Sequence, residues 1–141
     1  MAVLTNITVG TDQLEIFKPD IENYLFEGQT DFSDQITAAK EEVYSEIKLQ
    51  EQGNYPTSTD AQLVTILANI KDYSDTKPLQ RYVSLISVAL IMAGNGLLDE
   101  SNYFRDMASR LRLQYYIDSD EDGVADSSEN SIVNQAPFFG R

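Results

Sequence analysis

The chain of 141 residues contains no His, no Cys and no Trp. Without His it lacks the commonest general base and metal ligand, and without Cys it has no disulfide, thiol nucleophile or thiolate zinc site. Most familiar hydrolase triads are thereby excluded. Spacing alone reveals no buried carboxylate pair for acid-base work, so the chain is expected not to be an enzyme. Basic residues are also scarce: ten Lys and Arg stand against 23 Asp and Glu, a formal net charge of −13. Capture of phosphate needs a basic surface that so few scattered cations do not form. An acidic surface does suit a channel through which DNA slides without sticking.

Long apolar runs are missing as well. The opening Met1-Ala-Val-Leu-Thr-Asn-Ile-Thr has neither the basic start nor the continuous apolar stretch of a signal peptide, so export is not expected. The charge-free stretch from Tyr82 to Leu98 is the membrane candidate, but it is short for a span and is broken by Gly94-Asn95-Gly96. A buried helix is the expected reading, with no membrane partner. What is present, 42% hydrophobic residues, suffices for one domain with a modest core.

That core reads as helical. Met1 to Val9 alternates weakly and predicts an extended, flexible or partner-held arm, and Gly10-Thr11-Asp12 signals a turn or helix start. A short helix is expected over Pro19 to Phe26, with Ile21, Tyr24 and Leu25 on one face and Gly28 ending it. Asp31 or Ser33 then caps a helix in which Ile36, Ala39, Val43 and Ile47 recur at three- and four-residue steps, with Gly53 beyond its end. After the loop Asn54 to Thr59, Asp60 is placed to cap a helix carrying Leu63, Ile66, Leu67 and Ile70. From Leu79 to Ala93 the apolar residues run almost all round, as expected of a helix central in a bundle or caught between subunits. In a domain of this size the second option carries weight. Asp99 or Ser101 caps a last helix with Phe104, Met107, Ala108, Leu111 and Tyr115 along one side. Its Arg105, Arg110 and Arg112 are either surface charges or partners for acids of a neighbouring subunit. The expected fold is all-α: a small bundle of about four to five helices with an extended N-terminal arm and a C-terminal tail.

The last helix is expected to run directly into Asp118-Ser-Asp120-Glu-Asp122-Gly123-Val124-Ala-Asp126-Ser-Ser-Glu129. This segment holds six acids and no Lys or Arg, and by residue type it reproduces a calcium-wrapping loop. Asp118, Asp120 and Asp122 occupy the first, third and fifth ligand positions, Gly123 the sharp turn, and Val124 the place of a backbone carbonyl donor. Asp126 sits where a donor often acts through water, and Glu129 where two oxygens are supplied at once. The alternative is a solvated acidic linker. Magnesium fits less well, because it prefers few protein ligands in a strict octahedron. No amphipathic exit helix and no partner loop follow, so a calcium sensor is not supported. The tail from Ser131 to Arg141 contains Pro137, the pair Phe138-Phe139 and Arg141. It is read as docking onto another protein, the alternative being that Phe138 and Phe139 fold back on the domain's own core.

Three stretches carry a resemblance: Ile16-Phe17-Lys18-Pro19-Asp20-Ile21-Glu22-Asn23-Tyr24-Leu25, then Asp34-Gln35-Ile36-Thr37-Ala38-Ala39-Lys40-Glu41-Glu42-Val43, then the apolar helix Leu79 to Ala93. In this order, across roughly Leu14 to Tyr116, the chain resembles the head-tail connector, or adaptor, proteins of tailed bacteriophages. The resemblance implies a helical connector domain over residues 1–117, assembled in the host cytoplasm into a ring, typically of twelve copies, in the virion neck. Such a ring sits beneath the portal protein, extends the DNA channel and presents a docking surface to the downstream neck, stopper or tail protein. It further implies a role at the portal for Ala136 to Arg141 of the docking tail 130–141, with the acidic loop 118–129 fixing the tail's exit angle. The chain departs from the plainest members in its longer C-terminus and in that loop. A reading from a different class is a stand-alone calcium-dependent module that binds a protein or a glycan.

Overall fold

The computed structural model describes residues 3–118 and the strand residues 130–132. In chain order they form α1 (Thr11–Phe17), a 3-10 turn (Ile21–Tyr24), α2 (Ser33–Asn54), α3 (Asp60–Leu67), β1 (Ile70–Lys71), α4 (Pro78–Gly94), α5 (Leu98–Leu111), β2 (Gln114–Ile117) and β3 (Asn130–Ile132). The protein is a small helical bundle to which a minor antiparallel sheet, ordered β1-β2-β3, is attached.

The stripe predicted on α2 is its core face: Ile36, Ala39, Val43 and Ile47 are all buried. The face continues one turn further than expected, through Glu51 to Asn54, so Gly53 lies inside the helix. At its start the Asp31 carboxylate accepts from the Ser33 N–H at 3.1 Å and from the Ser33 hydroxyl at 2.8 Å. Those two bonds hold the Asp31 carboxyl below its ordinary value. α3 is capped by Thr59 rather than Asp60. The Thr59 hydroxyl accepts from the Gln62 N–H at 3.2 Å while the Gln62 side chain accepts from the Thr59 N–H at 2.9 Å, a reciprocal capping box.

α4 is the axis of the molecule and packs against α1, the 3-10 turn, α2, α5 and β2. It buries residues on every side, from Leu79 to Met92. Its two buried serines are satisfied within the helix, Ser84 donating to the Gln80 carbonyl and Ser87 to the Val83 carbonyl, each at 2.8 Å. A single chain therefore covers this helix. Its apolar surface needs no neighbouring subunit for cover, because α1, α5 and β2 close round it from the sides that α2 leaves open.

Three further expectations change. The N-terminal segment is not an extended arm along the residues described: Leu4 and Ile7 are core residues, and a turn closes between them with the Ile7 N–H on the Leu4 carbonyl at 3.0 Å. Two long-range bonds fasten it, Asn6 Nδ2 to the Ile70 carbonyl at 2.6 Å and Gln80 Nε2 to the Thr8 carbonyl at 2.7 Å. α5 begins at Leu98 with Leu97 in the cap position, and Ser101 is buried inside it instead of capping it. α5 also stops at Leu111, because Arg112 adopts φ 69 and ψ 145 and turns the chain out of the helix. Tyr115, expected on the apolar side of that helix, belongs to β2.

Candidate functional site

The acidic segment is delivered by a strand, not by a helix. β2 pairs with β1 through Ile70↔Ile117 and Lys71↔Tyr116, and on its other edge with β3 through Gln114↔Ile132, Tyr115↔Ser131 and Tyr116↔Asn130. The N–H of Asp118 then donates to the Asn69 carbonyl at 2.9 Å, extending the hold on β2 by one residue. The segment between Asp118 and Asn130 thus joins two strands, β2 and β3, that pair antiparallel. A cation that takes donors from the first and twelfth positions needs those two positions close together. The all-oxygen donor set suits a hard ion.

Of the predicted metal donors, Asp118 alone falls among the described residues, where it is 2% exposed. Asp120, Asp122, Val124, Asp126 and Glu129 lie outside them, as do Pro137, Phe138, Phe139 and Arg141. Among the described residues, no three acidic side chains gather closely enough to hold a metal.

Two polar joints fasten the sheet and helices that carry this hairpin. In the first, Glu51 on α2 is 1% exposed and Tyr115 on β2 is fully buried. The Tyr115 hydroxyl donates to Glu51 Oε2, and Asn54 Nδ2 donates to Glu51 Oε1 at 3.2 Å. A buried carboxylate with donors on both oxygens anchors β2 to the end of α2. In the second, the Asp72 side chain reaches across to the start of α4. Its Oδ1 accepts from the N–H groups of Tyr73 at 3.0 Å and Leu79 at 2.8 Å, and its Oδ2 from Gln80 N–H at 2.9 Å. Burial pushes the Asp72 carboxyl up, opposed by those three N–H groups. Asp72 thereby performs the N-cap's work from five residues before the formal cap, Lys77, which adopts left-handed φ 48 and ψ 53.

A third cluster joins α2, α4 and α5. Arg105 makes a two-pronged contact with Glu42, 2.7 and 3.3 Å, and the Tyr82 hydroxyl donates to Glu46 Oε2 at 3.0 Å. Arg105 is thus paired within its own chain. Burial pushes the Glu46 carboxyl up, helped by Glu42 and opposed by the Tyr82 hydrogen bond and Arg105. Sequence reasoning missed Glu51, although it falls four residues after Ile47 on the apolar stripe; a charged residue at a core position is the signal that a buried partner exists.

No family model, curated protein or solved structure matches the chain. Among the described residues no helix is long and apolar enough to cross a membrane.

Proposed function

We propose that this chain is a structural, non-enzymatic subunit of a tailed-bacteriophage neck, an adaptor that forms a ring beneath the portal and joins head to tail. The observation that carries the reading is the placement of the three resembling stretches. Ile16 to Leu25 spans the end of α1 and the 3-10 turn, Asp34 to Val43 lies in α2, and Leu79 to Ala93 lies in α4, and these elements pack on one another around α4. The net charge of −13 agrees with a lumen that DNA passes without adhesion. Because α4 is covered within the chain, a ring, taken as twelve copies from the resemblance, uses contacts other than this helix. The portal above and a stopper or tail protein below are the partners, and the virion neck, after assembly in the host cytoplasm, is the location.

The acidic segment 118–129 binds Ca2+ through Asp118, Asp120, Asp122, Val124, Asp126 and Glu129 in this reading and works as a joint. With strands rather than two helices on its flanks, it lacks the helix pair whose reorientation drives calcium sensors. The metal sets the path of residues 130–141, so that Pro137, Phe138, Phe139 and Arg141 reach the portal. The second reading, a stand-alone calcium-dependent module for a protein or glycan, draws on the covered α4, since a chain that seals its own core needs no ring.

Sedimentation and cryo-EM of the purified chain with portal separate the two. A ring seated on portal that survives Asp118→Ala and Glu129→Ala supports the adaptor. A chain that stays monomeric, ignores portal and binds a partner in a strictly calcium-dependent way refutes it. Calorimetric titration with Ca2+ tests the metal directly, and a heat signal unchanged by those two substitutions removes it from the proposal.

A further inference from the structure

The core face of α2 carries two charged residues, Lys40 and Glu51, and among the described residues only Glu51 has a partner. Ile36, Lys40, Val43, Ile47 and Glu51 follow one another at steps of four, three, four and four residues, the spacing of a single helix face. Four of them are buried, and Lys40 is half-buried between them. Glu51 receives a donor on each carboxylate oxygen. Lys40 makes neither an ion pair nor a hydrogen bond among the described residues.

The other four lysines are placed differently. Lys18 pairs with Asp20 and Glu100, and Lys48 pairs with Asp60. Lys77 interacts with the Asp72 charge, and Lys71, half-buried on β1, directly precedes that acid in the chain. A carboxylate close by keeps an ammonium protonated, and a protonated amine has no lone pair to offer. Burial instead holds the Lys40 amine below its ordinary value, the condition under which a lysine becomes a nucleophile.

We propose that Lys40 is an acylation site, at which the side-chain amine takes an acyl group from a small activated donor, an acyl phosphate or a thioester. The neutral Nζ attacks the acyl carbon and forms the new N–C bond. The bond to phosphate or thiolate breaks, its electron pair leaves on that group, and the surplus Nζ proton passes to water. The product is a neutral amide. At Lys18 or Lys48 the same reaction abolishes an ion pair, whereas at Lys40 it removes a charge that burial disfavours. The chain acylated at Lys40 is therefore expected to be no less stable than its parent. The inference is independent of the neck reading and of any metal, since it uses α2 alone.

The test treats the folded full chain with limiting acetyl phosphate in one arm and with S-acetyl-N-acetylcysteamine in the other, and follows each lysine by peptide mass spectrometry. Lys40 is expected to acetylate at least about fivefold faster than Lys18 or Lys48, and ahead of Lys71 and Lys77. In urea the rates converge, because the preference belongs to the fold. A lead in either arm supports the site, and a lead in one arm alone also names the donor class. Lys40 level with or behind another lysine in both arms, or a lead that persists in urea, overturns it. Thermal melting of the chain acetylated at Lys40 supplies a second decision. A midpoint within about 2 °C of the parent's, or above it, supports an ammonium without a partner, and a larger fall refutes it.

Discussion

Replacing Tyr115 by Phe removes one hydroxyl from the interior and leaves the ring in place. The Glu51 carboxylate, 1% exposed, then keeps the Asn54 amide and loses the phenol. A hydrogen bond to a charged acceptor contributes about 1.5–3 kcal/mol, and a buried acceptor left short of a donor cannot turn to water for replacement. The expected cost is about 2 kcal/mol, which for a domain of this size lowers the melting midpoint by roughly 6–8 °C. Urea denaturation followed by circular dichroism measures it. The stronger demand concerns pairs. Glu51→Met by itself removes the acceptor of the Tyr115 hydroxyl's bond, whereas Glu51→Met with Tyr115→Phe removes donor and acceptor together and leaves an apolar contact of similar volume. The double variant is therefore expected to be more stable than the sum of the single losses implies, by about 1 kcal/mol or more. A Tyr115→Phe loss within about 0.5 kcal/mol of zero, or single losses that simply add, would refute the claim that this bond anchors β2.

Gly94 closes against Phe26: a Cβ at that position would lie 2.5 Å from the Phe26 Cζ. Gly94→Ala is expected to cost about 1–3 kcal/mol by thermal melting, and Phe26→Leu in the same chain to recover part of it. Asp72→Ala strips three N–H groups of their acceptor and is expected to cost about 2 kcal/mol, with Asp72→Asn losing less; chemical denaturation ranks them. Glu46 gives a pH dependence. Its folded carboxyl is raised, chiefly by burial, so the folded state holds the proton more tightly than the unfolded state. Its contribution to stability is fully present below the unfolded value and is lost as pH rises through the folded one. Glu46→Gln is expected to flatten that segment of the melting-temperature profile, on the alkaline side of the ordinary carboxylate range, and an unchanged slope counts against it.

The parts of the fold legible in the sequence were those set by local period. Ile36, Ala39, Val43 and Ile47 repeat at helical spacing and are buried on one face, and the apolar stretch from Leu79 becomes the central helix. What escaped was set by contacts far apart in the chain. Leu4 and Ile7 enter the core because Asn6 and Gln80 bind across 64 and 72 residues, and no pattern near Met1 announces that. Tyr115 follows Leu111 at a perfect helical step, so its place in a strand is invisible until Arg112 is seen at positive φ without a Gly or Pro to signal it. The acidic segment stands out in the sequence by composition alone, whereas its setting between two strands depends on the pairing of Tyr116 with Asn130. Asp72 as the cap of α4 acts over seven and eight residues, beyond the reach of the usual cap signature.

The enclosure of α4 bears on the timing of any assembly this chain joins. Among the described residues α4 is covered by its own chain, so burial of this helix does not itself require a second copy. Contacts between copies in the proposed ring would fall on surfaces other than α4, where polar pairs are individually weak and responsive to salt. In the proposed neck ring the order of events would then pass to the larger partner, whose surface, by gathering several copies at once, would decide when and in what number they lock together.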